Sequence, residues 1–533
     1  EFSLDSSEFI NKANSIINDW IDNNAFYSFD GWHPYTTSLR LVNWVYSFIA
    51  LPTLASQKAQ DSLWKQLVYL SKNKETFAGG NHLLENLRAL IIAGLYFDND
   101  DSQKIVKDAL KHLEKELKIQ VLDDGGHYEY SSSYHLLMTK LLTEVIISLK
   151  SAGWQVPEIL LTKLDKMLEY SQNIRLLDGS YPLWNDASFD SAPSLDTVLW
   201  FGSSLLGKPL KTNIKPQNNP ILNKLLKSAN SPAISLKEEA KPKLTKLESS
   251  GYYFLKSADI ELSFDAAPPC PKELPGHAHA DCLGFNIYKN GQPLIIETGT
   301  SQYGSGPIRS YERSTAAHNT VVFDNQNQSE VWGGFRVGRK AQPKFVDSGQ
   351  TDDIAWLSAS HNGYDLVKAH HYRWIGQTDK AIIVLDQLSA ENSSQFCSHL
   401  HLAPNLEPSF IASQSTGKAR NNDTSKTKAM LAQTISLSPS NLKIKIFSNI
   451  QNLDVQLKDS KESKSYYSPE MGKKYPRAKL ELSGQIANPK IICMIFYFAE
   501  PEAHFELEKQ QVSLQIFEKS LKWKITDKGL RIN

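Results

Sequence analysis

The chain lacks a net charge: Lys+Arg and Asp+Glu number 58 each in 533 residues. A formally neutral chain has no global field to draw in a polyanion, so no nucleic-acid partner is expected, and any anionic ligand must be met by a local basic patch. Long apolar runs are missing too. None approaches the roughly 18–20 residues needed to span a bilayer, so no membrane span is expected. Cysteine is scarce, with four residues (Cys270, Cys282, Cys397, Cys493) and no C-x-x-C. Buried free thiols are the reading, with a Cys270–Cys282 bridge open in an oxidising compartment. Histidine is also sparse, 14 in all. Three of these stand in two short motifs, Gly276-His277-Ala278-His279-Ala280-Asp281 and Ala317-His318-Asn319-Thr320. The segment between them reads as a β-hairpin, so the imidazoles can meet in space. Imidazole is the side chain best suited to move protons near neutral pH or to bind a transition metal.

A chain of this length exceeds one core, and two or more domains are expected. Up to about residue 205 it reads as helix after helix. Leu83, Leu84, Leu87, Leu90, Ile91 and Leu95 mark one broad face, and 105–117, 136–149 and 159–170 repeat the period. Short loops hold turn residues, as in Gly79-Gly80, Asp124-Gly125-Gly126 and Asp178-Gly179. Stacked helix hairpins of this kind form a solenoid or a closed toroid. Residues 207–245, rich in Lys, Pro, Asn and Ser, read as a linker draped over the first domain. From about 250 the period becomes two, as in 260–264 and 283–287. Asn290-Gly291 supplies a tight turn before Leu294-Ile295-Ile296. Further strands at short spacing predict a large antiparallel sandwich. The domains are therefore 1–245, helical with its linker, and 246–533, antiparallel β. The Lys/Ser/Asn-rich stretch 414–428 reads as a mobile loop.

Polar clusters stand at two helix starts, Asn81-His82-Leu83-Leu84-Glu85-Asn86 and Asp124-Gly125-Gly126-His127-Tyr128-Glu129-Tyr130-Ser131-Ser132-Ser133-Tyr134-His135. Each, taken singly, is explained by capping. Their recurrence at consecutive helix starts points equally to one rim of a cleft.

The ordered set Asn81-His82-x-x-Glu85-Asn86, Glu129-x-Ser131-x-x-Tyr134-His135, His277-x-His279-x-Asp281 and Arg309-x-Tyr311-x-Arg313-Ser314-Thr315-Ala316-x-His318-Asn319-Thr320 resembles the heparinase II/III family of polysaccharide lyases. Trp32-His33-Pro34-Tyr35, Arg40, Asn43-Trp44 and Glu330-x-Trp332-x-x-Phe335-Arg336 add to the match. The resemblance implies an N-terminal incomplete (α/α) toroid followed by a C-terminal antiparallel β-sandwich. It also implies β-elimination beside a uronic acid: a base takes the C5 proton and an acid protonates the departing O4. Donors aimed at the uronate carboxylate act mainly on the transition state. Asn81 fits that task, with His82 beside it. Tyr134 fits the family's tyrosine, an acid to O4 and a base when deprotonated. His277 fits the histidine that serves as base on the opposite face.

In some relatives a structural zinc is held by His, Asp and His. The matching positions are His279, Glu297 and His318, and Glu297 departs from the family's Asp. The alternative is that His279 and His318 simply hydrogen-bond in the core. No organic cofactor is expected. Substrate contacts are assigned to Trp184 as a sugar platform, to Tyr35, and to Arg309, Arg336 and Arg339. The other reading of the arginines is that one or two anchor buried acids. The expected partner is an acidic polysaccharide, heparan- or heparosan-like first, with alginate-, hyaluronan- and capsule-type polymers open. A glycoside hydrolase using Asp124, Glu129 and Asp186 is a second class, and a non-catalytic carbohydrate-binding protein a third. The expected protein is a monomer or homodimer, periplasmic or secreted from a bacterium, with its signal peptide not present in this chain.

Overall fold

The N-terminal helices follow the apolar period and begin ahead of it. The run around 83–97 is the helix Gly80–Phe97, that around 105–117 is Asp100–Gln120, and 136–149 and 159–170 lie in Ser132–Ser151 and Glu158–Ile174. Asn99 opens the second of these with a capping box to Ser102, which satisfies two helix-end groups at once. The helix Gly80–Phe97 is buried around nearly its whole circumference through Gly94. It is the centre of the helical region. Its contact with Asp100–Gln120 is close: a Cβ on Gly94 would fall 2.5 Å from Val106 Cγ2. Gly125 is required for a second reason. Its φ is +90°, and a Cβ there would lie 2.1 Å from the Lys166 carbonyl oxygen.

This computed structural model describes residues 7–532 apart from 29, 78, 212, 233–234, 238–241, 258, 412–429, 500–502, 509–510, 517–518 and 527–528. The stretch 414–428, expected as a mobile loop, lies outside the described residues. The chain divides into two compact units: Glu1–Glu129, Tyr134–Gln172 and Pro193–Glu239 form one, and Tyr130–Ser133, Asn173–Ala192 and Ala240–Asn533 the other. The simple boundary at 245 is thus replaced. Two short segments of the N-terminal half join the sheet unit, where the hydroxyls of Ser132 and Ser133 donate to the carbonyls of Pro182 and Ser188. The expected linker is also partly folded. It holds the helix Pro220–Ser228, which buries Leu222 and Leu225, and a parallel pairing of Leu210–Lys211 with Leu236–Lys237.

The second unit is antiparallel β throughout its main sheets. A five-stranded sheet runs in chain order through Leu244–Leu247, Tyr252–Lys256, Ile260–Asp265, Phe285–Lys289 and Gln292–Ile295. The last two form the expected hairpin, with Asn290 and Gly291 at φ 50° and 74°. The strand predicted from Leu283 begins instead at Phe285, because Leu283 takes φ 63°. An eight-stranded sheet is centred on Ala369–Gln377, Ala381–Ala390 and Lys490–Tyr497. A four-stranded sheet joins Ser394–His401 to Lys479–Ile486 and Val321–Phe323. The C-terminal sheet from Ala503 to Ile532 packs Phe505, Val512, Leu514 and Trp523 against Trp374, Ile383, Leu385 and Ile495 of the eight-stranded sheet. Strands such as Tyr252–Lys256 are buried on both faces, so they show no alternation and periodicity misses them. All four cysteines are free, so Cys270 and Cys282 form no bridge.

One buried ion pair ties this core to the histidine motifs. Arg373 donates to both oxygens of Asp386, at 2.7 and 2.8 Å, and to the carbonyls of Leu283 and Asn319. Burial alone would raise the Asp386 carboxyl, but Arg373 and the His371 imidazole bring it well below its ordinary value of 3.8. A depressed folded value means the contribution to stability is fully present above the ordinary value and is lost as the pH falls from there through the folded value. Asp386→Asn leaves a buried guanidinium uncompensated and is expected to cost about 3–5 kcal/mol at neutral pH. The gap from wild type should narrow as thermal melts are taken below pH 4. A gap that stayed constant would show that the carboxylate is not the source.

Candidate active site

In the sheet unit, the two histidine motifs lie in loops rather than strands, and one buried carboxylate, Asp186, organises the first of them. Asp186 accepts from both ends of the Arg309 guanidinium, with Nη2 at 2.7 Å from Oδ2. The same carboxylate meets His277 Nδ1 at 3.1 Å and His279 Nε2 at 3.0 Å. Burial would push Asp186 up, but Arg309 and the two imidazoles hold it well below the usual carboxylate range. It is therefore a fixed anion. An Nδ1–H donated to it puts the basic lone pair of His277 on Nε2, as a general base requires. His277 keeps 12% of its side chain exposed, whereas Asp186 and Arg309 are fully enclosed.

Two residues apart, His277 and His279 would share one face of a regular strand; the loop sets them in different surroundings. Asn185, at φ 54°, turns the chain so that its Oδ1 accepts from the His279 backbone N–H at 2.7 Å. The Asp186 N–H in turn donates to the His277 carbonyl. Asparagine tolerates that left-handed conformation better than most residues.

Beside this dyad the ligand atoms of His279, Asp281 and His318 lie within 4.8 Å of one another, and the rings of His279 and His318 are 5.3 Å apart. This buried group can hold a metal ion. His318 Nε2 is buried with no hydrogen-bond partner among the described residues, which is what a ligating nitrogen awaiting a cation looks like. The acid of the group is Asp281, not the expected Glu297. Glu297 bonds His318 Nδ1 instead. Its extra methylene reaches that nitrogen because Gly284 leaves space, where a Cβ would sit 3.1 Å from Glu297 Oε1. A carboxylate on Nδ1 fixes the tautomer and turns Nε2 toward a metal. Burial lifts the Asp281 carboxyl to about 6, with Glu297 adding to the rise and His318 opposing it. Burial likewise lowers His279 to about 3.

The helical unit supplies the other candidates. Asn81 begins the helix Gly80–Phe97. Its backbone N–H donates to Glu129 Oε1 at 2.7 Å and its Nδ2 to Oε2 at 2.9 Å, which fixes the amide plane. His82 is partly exposed. It stacks on Tyr35 at 4.2 Å between centroids and meets Glu75 through Nδ1 at 2.9 Å. Burial would raise Glu75, but bonds from His82 and Asn86 leave it lowered. Tyr134 is half-buried in the first turn of the helix Ser132–Ser151.

Several assigned contacts move. Trp184 is buried and stacked face to face on Tyr252 at 3.8 Å, so it is a packing residue and not a sugar platform. Arg309 anchors Asp186, the second of the two readings offered for the arginines. Arg339 donates from Nη1 to the carbonyls of Gln328 and Gly363 and holds a loop together. Arg336 is exposed. Tyr35 lies against His82, half-buried. In sequence Asp186 reads only as a hydrolytic acid. Its signal is an Asn-Asp pair directly after Leu183-Trp184 in a loop, which no periodicity marks.

The family profiles "Heparinase II/III N-terminus" and "Heparinase II/III-like, C-terminal" match residues 8–199 and 239–493. The chain belongs to the heparinase II/III-like family. It is 25% identical over 264 residues to a heparin-sulfate lyase of Bacteroides stercoris, which covers 48% of this chain and 37% of that protein. It is 23% identical over 431 residues to the FtsZ-localized protein C of Caulobacter vibrioides, covering 75% and 66%. The chain thus spans well under half the length of that lyase. A crystal structure of heparinase III superposes with a TM-score of 0.74 at 15% identity, covering 98% of this chain and 80% of that one, which shows the shared fold of helical region and antiparallel sheets.

Replacing Arg309 with Met removes both donors to Asp186 and strands a buried charge. The expected loss is about 3–5 kcal/mol, read from thermal melts, and Asp186→Asn in the same chain should recover part of it. If the single variant melts with wild type, the pair does not organise the loop.

Proposed function

We propose that this chain is a polysaccharide lyase that cleaves a uronic-acid-containing polysaccharide by β-elimination and leaves 4,5-unsaturated uronate ends. The observation that carries the reading is the His277 imidazole, oriented through Nδ1 by an Asp186 that Arg309 keeps ionised. A base removes the C5 proton, its electrons form the C4–C5 double bond, and the C4–O4 bond breaks as an acid delivers a proton to O4. His277 Nε2 serves as one base. The Tyr134 phenol serves as the acid to O4, and as base for the opposite C5 configuration. Asn81, its amide plane held by Glu129, donates to the uronate carboxylate, with His82 as its neighbour in that task. Charge builds on that carboxylate in the transition state, so a pre-oriented donor there lowers the barrier.

Heparan sulfate or heparosan-like chains are the first choice of substrate, in line with the heparin-sulfate lyases among the relatives. Alginate-, hyaluronan- and capsule-type polymers are the alternatives. A hydrolase is less favoured, because its three candidate acids are committed elsewhere. Asp124 accepts from the Gly126 N–H, Glu129 from Asn81 and Asp186 from Arg309. The reading includes a structural zinc, for which His279, Asp281 and His318 are the ligands and Glu297 the orienting carboxylate. When bound it braces the loops beneath His277 and supplies no redox chemistry. A periplasmic or secreted location, as a monomer or homodimer, fits an enzyme that meets polymeric substrate.

A panel of uronate polymers, read by ultraviolet absorbance of the unsaturated product, tests the reaction class, since hydrolysis leaves no double bond. On the substrate so found, Tyr134→Phe should abolish turnover with affinity nearly unchanged. Asn81→Ala should slow it by about 10²–10³-fold, the usual cost of one such donor. Normal rates in both variants would sink the mechanism. For the metal, protein purified without added zinc should carry about one equivalent, and a chelator should lower its melting temperature, as loss of a native-state ligand must. A molar ratio near zero, with no response to added zinc, removes zinc from the account.

A further inference from the structure

The hairpin formed by Val331–Trp332 and Arg336–Val337 presents an unusual surface. Trp332 is 49% exposed and Phe335 46%, and the exposed Arg336 guanidinium makes no hydrogen bond or ion pair among the described residues. Trp184, assigned above as a sugar platform, is buried, as are Trp32 and Trp44, and Tyr35 is half-buried. Exposed aromatics occur elsewhere, as at Tyr27 and Phe77; here two rings and a guanidinium share one short hairpin, and it is the contiguous patch that marks an interaction site.

The hairpin is not loosely attached. Two buried arginines of one helical turn each grip it at one end; at the other, Arg313 holds the histidine loop itself and Arg309 holds Asp186, the carboxylate that meets His277 and His279. Arg309 Nε donates to the Gly334 carbonyl at 3.0 Å, while its other nitrogens hold Asp186. Arg313 Nε donates to the Ala278 carbonyl at 2.8 Å, between His277 and His279. Its Nη atoms donate to the carbonyls of Trp332, Gly333 and Arg336. A single guanidinium spans only a few ångströms, so the hairpin backbone is held directly beside the base. The rings are bedded as well. The Trp332 ring lies over Gly338, where a Cβ would come within 3.1 Å of Cζ3. Phe335 packs on Tyr303 at 5.9 Å, with the Arg309 guanidinium 5.7 Å from its centroid.

We propose that Trp332, Phe335 and Arg336 form a sugar-binding subsite beside His277, the rings stacking on pyranose faces of an acidic polysaccharide and the guanidinium meeting a carboxylate or sulfate. The ligand class rests on the lyase reading. The occupant is argued from the pairing of flat apolar faces with an unpaired, bidentate cation on a base that two arginines fix to the catalytic loop. Because the contact is made to bound substrate and transition state alike, its loss should appear in KM rather than kcat.

Affinity electrophoresis of the full chain in gels containing heparosan, alginate or hyaluronan, together with steady-state kinetics on the same polymers, tests this. Trp332→Ala, Phe335→Ala and Arg336→Ala are each expected to lose retardation and raise KM about tenfold, with kcat changed far less. Trp332→Tyr should restore most of the loss, which a merely structural role would not explain, and melts should stay near wild type for these exposed positions. Wild-type cleavage with unchanged retardation and KM in all three variants overturns the subsite and leaves the lyase reading standing. Retardation that the variants lose, with no unsaturated product, upholds the subsite and sinks the lyase. A wild type that is neither retarded nor active on any polymer overturns both. A variant that dissociates a dimer without changing retardation makes the patch a subunit contact and overturns the subsite as well.

Discussion

An ionised aspartate sealed inside the sheet unit is the constraint on which the candidate site depends. Asp186 would be costly to bury alone, since an isolated carboxylate in a protein interior either neutralises or finds a cation. Arg309 meets it with two N–H groups, and His277, His279 and the Thr300 hydroxyl take up further acceptor capacity. The imidazoles are thereby placed by electrostatics rather than by strand geometry. One carboxylate holds both a partly exposed histidine and a buried one that borders a group able to hold a metal ion, and burial distinguishes the two.

Loops that carry such residues forgo sheet ladders, and their buried backbone groups need other partners. Guanidinium groups provide many of them. Arg313 serves the Ala278 carbonyl and the 332–336 hairpin, Arg373 serves Leu283 and Asn319, and Arg477 serves Ile296 and Glu297. Asn319 adds two more bonds, from Nδ2 to the Phe285 carbonyl and from the His401 N–H to its Oδ1. Five N–H donors in a rigid fork let one arginine satisfy several carbonyls from different segments. The arginines near the histidine motifs are thus mostly scaffold, and among them Arg336 is the exposed one.

The metal-type group shows how one methylene redistributes roles. An aspartate at 297 would be shorter. Glutamate with Gly284 opposite it reaches His318 Nδ1, and Asp281 is the carboxylate grouped with His279 and His318. The trio still offers two imidazoles and a carboxylate, a donor set suited to zinc.

By itself the sequence determined the class of each half, because helical and strand periods are local properties of side-chain order. It marked the Asn290-Gly291 hairpin for the same reason, since two left-handed residues suffice to make that turn. It also singled out His277, His279, His318, Asn81 and Tyr134, whose motifs are short and contiguous. What only the tertiary structure decided are relations between distant segments. Asp186 meets the histidines across some 90 positions, Trp184 stacks inward on Tyr252, Arg309 turns from ligand contact to anchor, and residues 130–133 and 173–192 join the sheet unit. Burial sets each of these, and burial belongs to the packed chain rather than to any window of it. A carboxylate, an indole or a guanidinium has no fixed task until its surroundings decide whether water, a counter-charge or another ring lies against it.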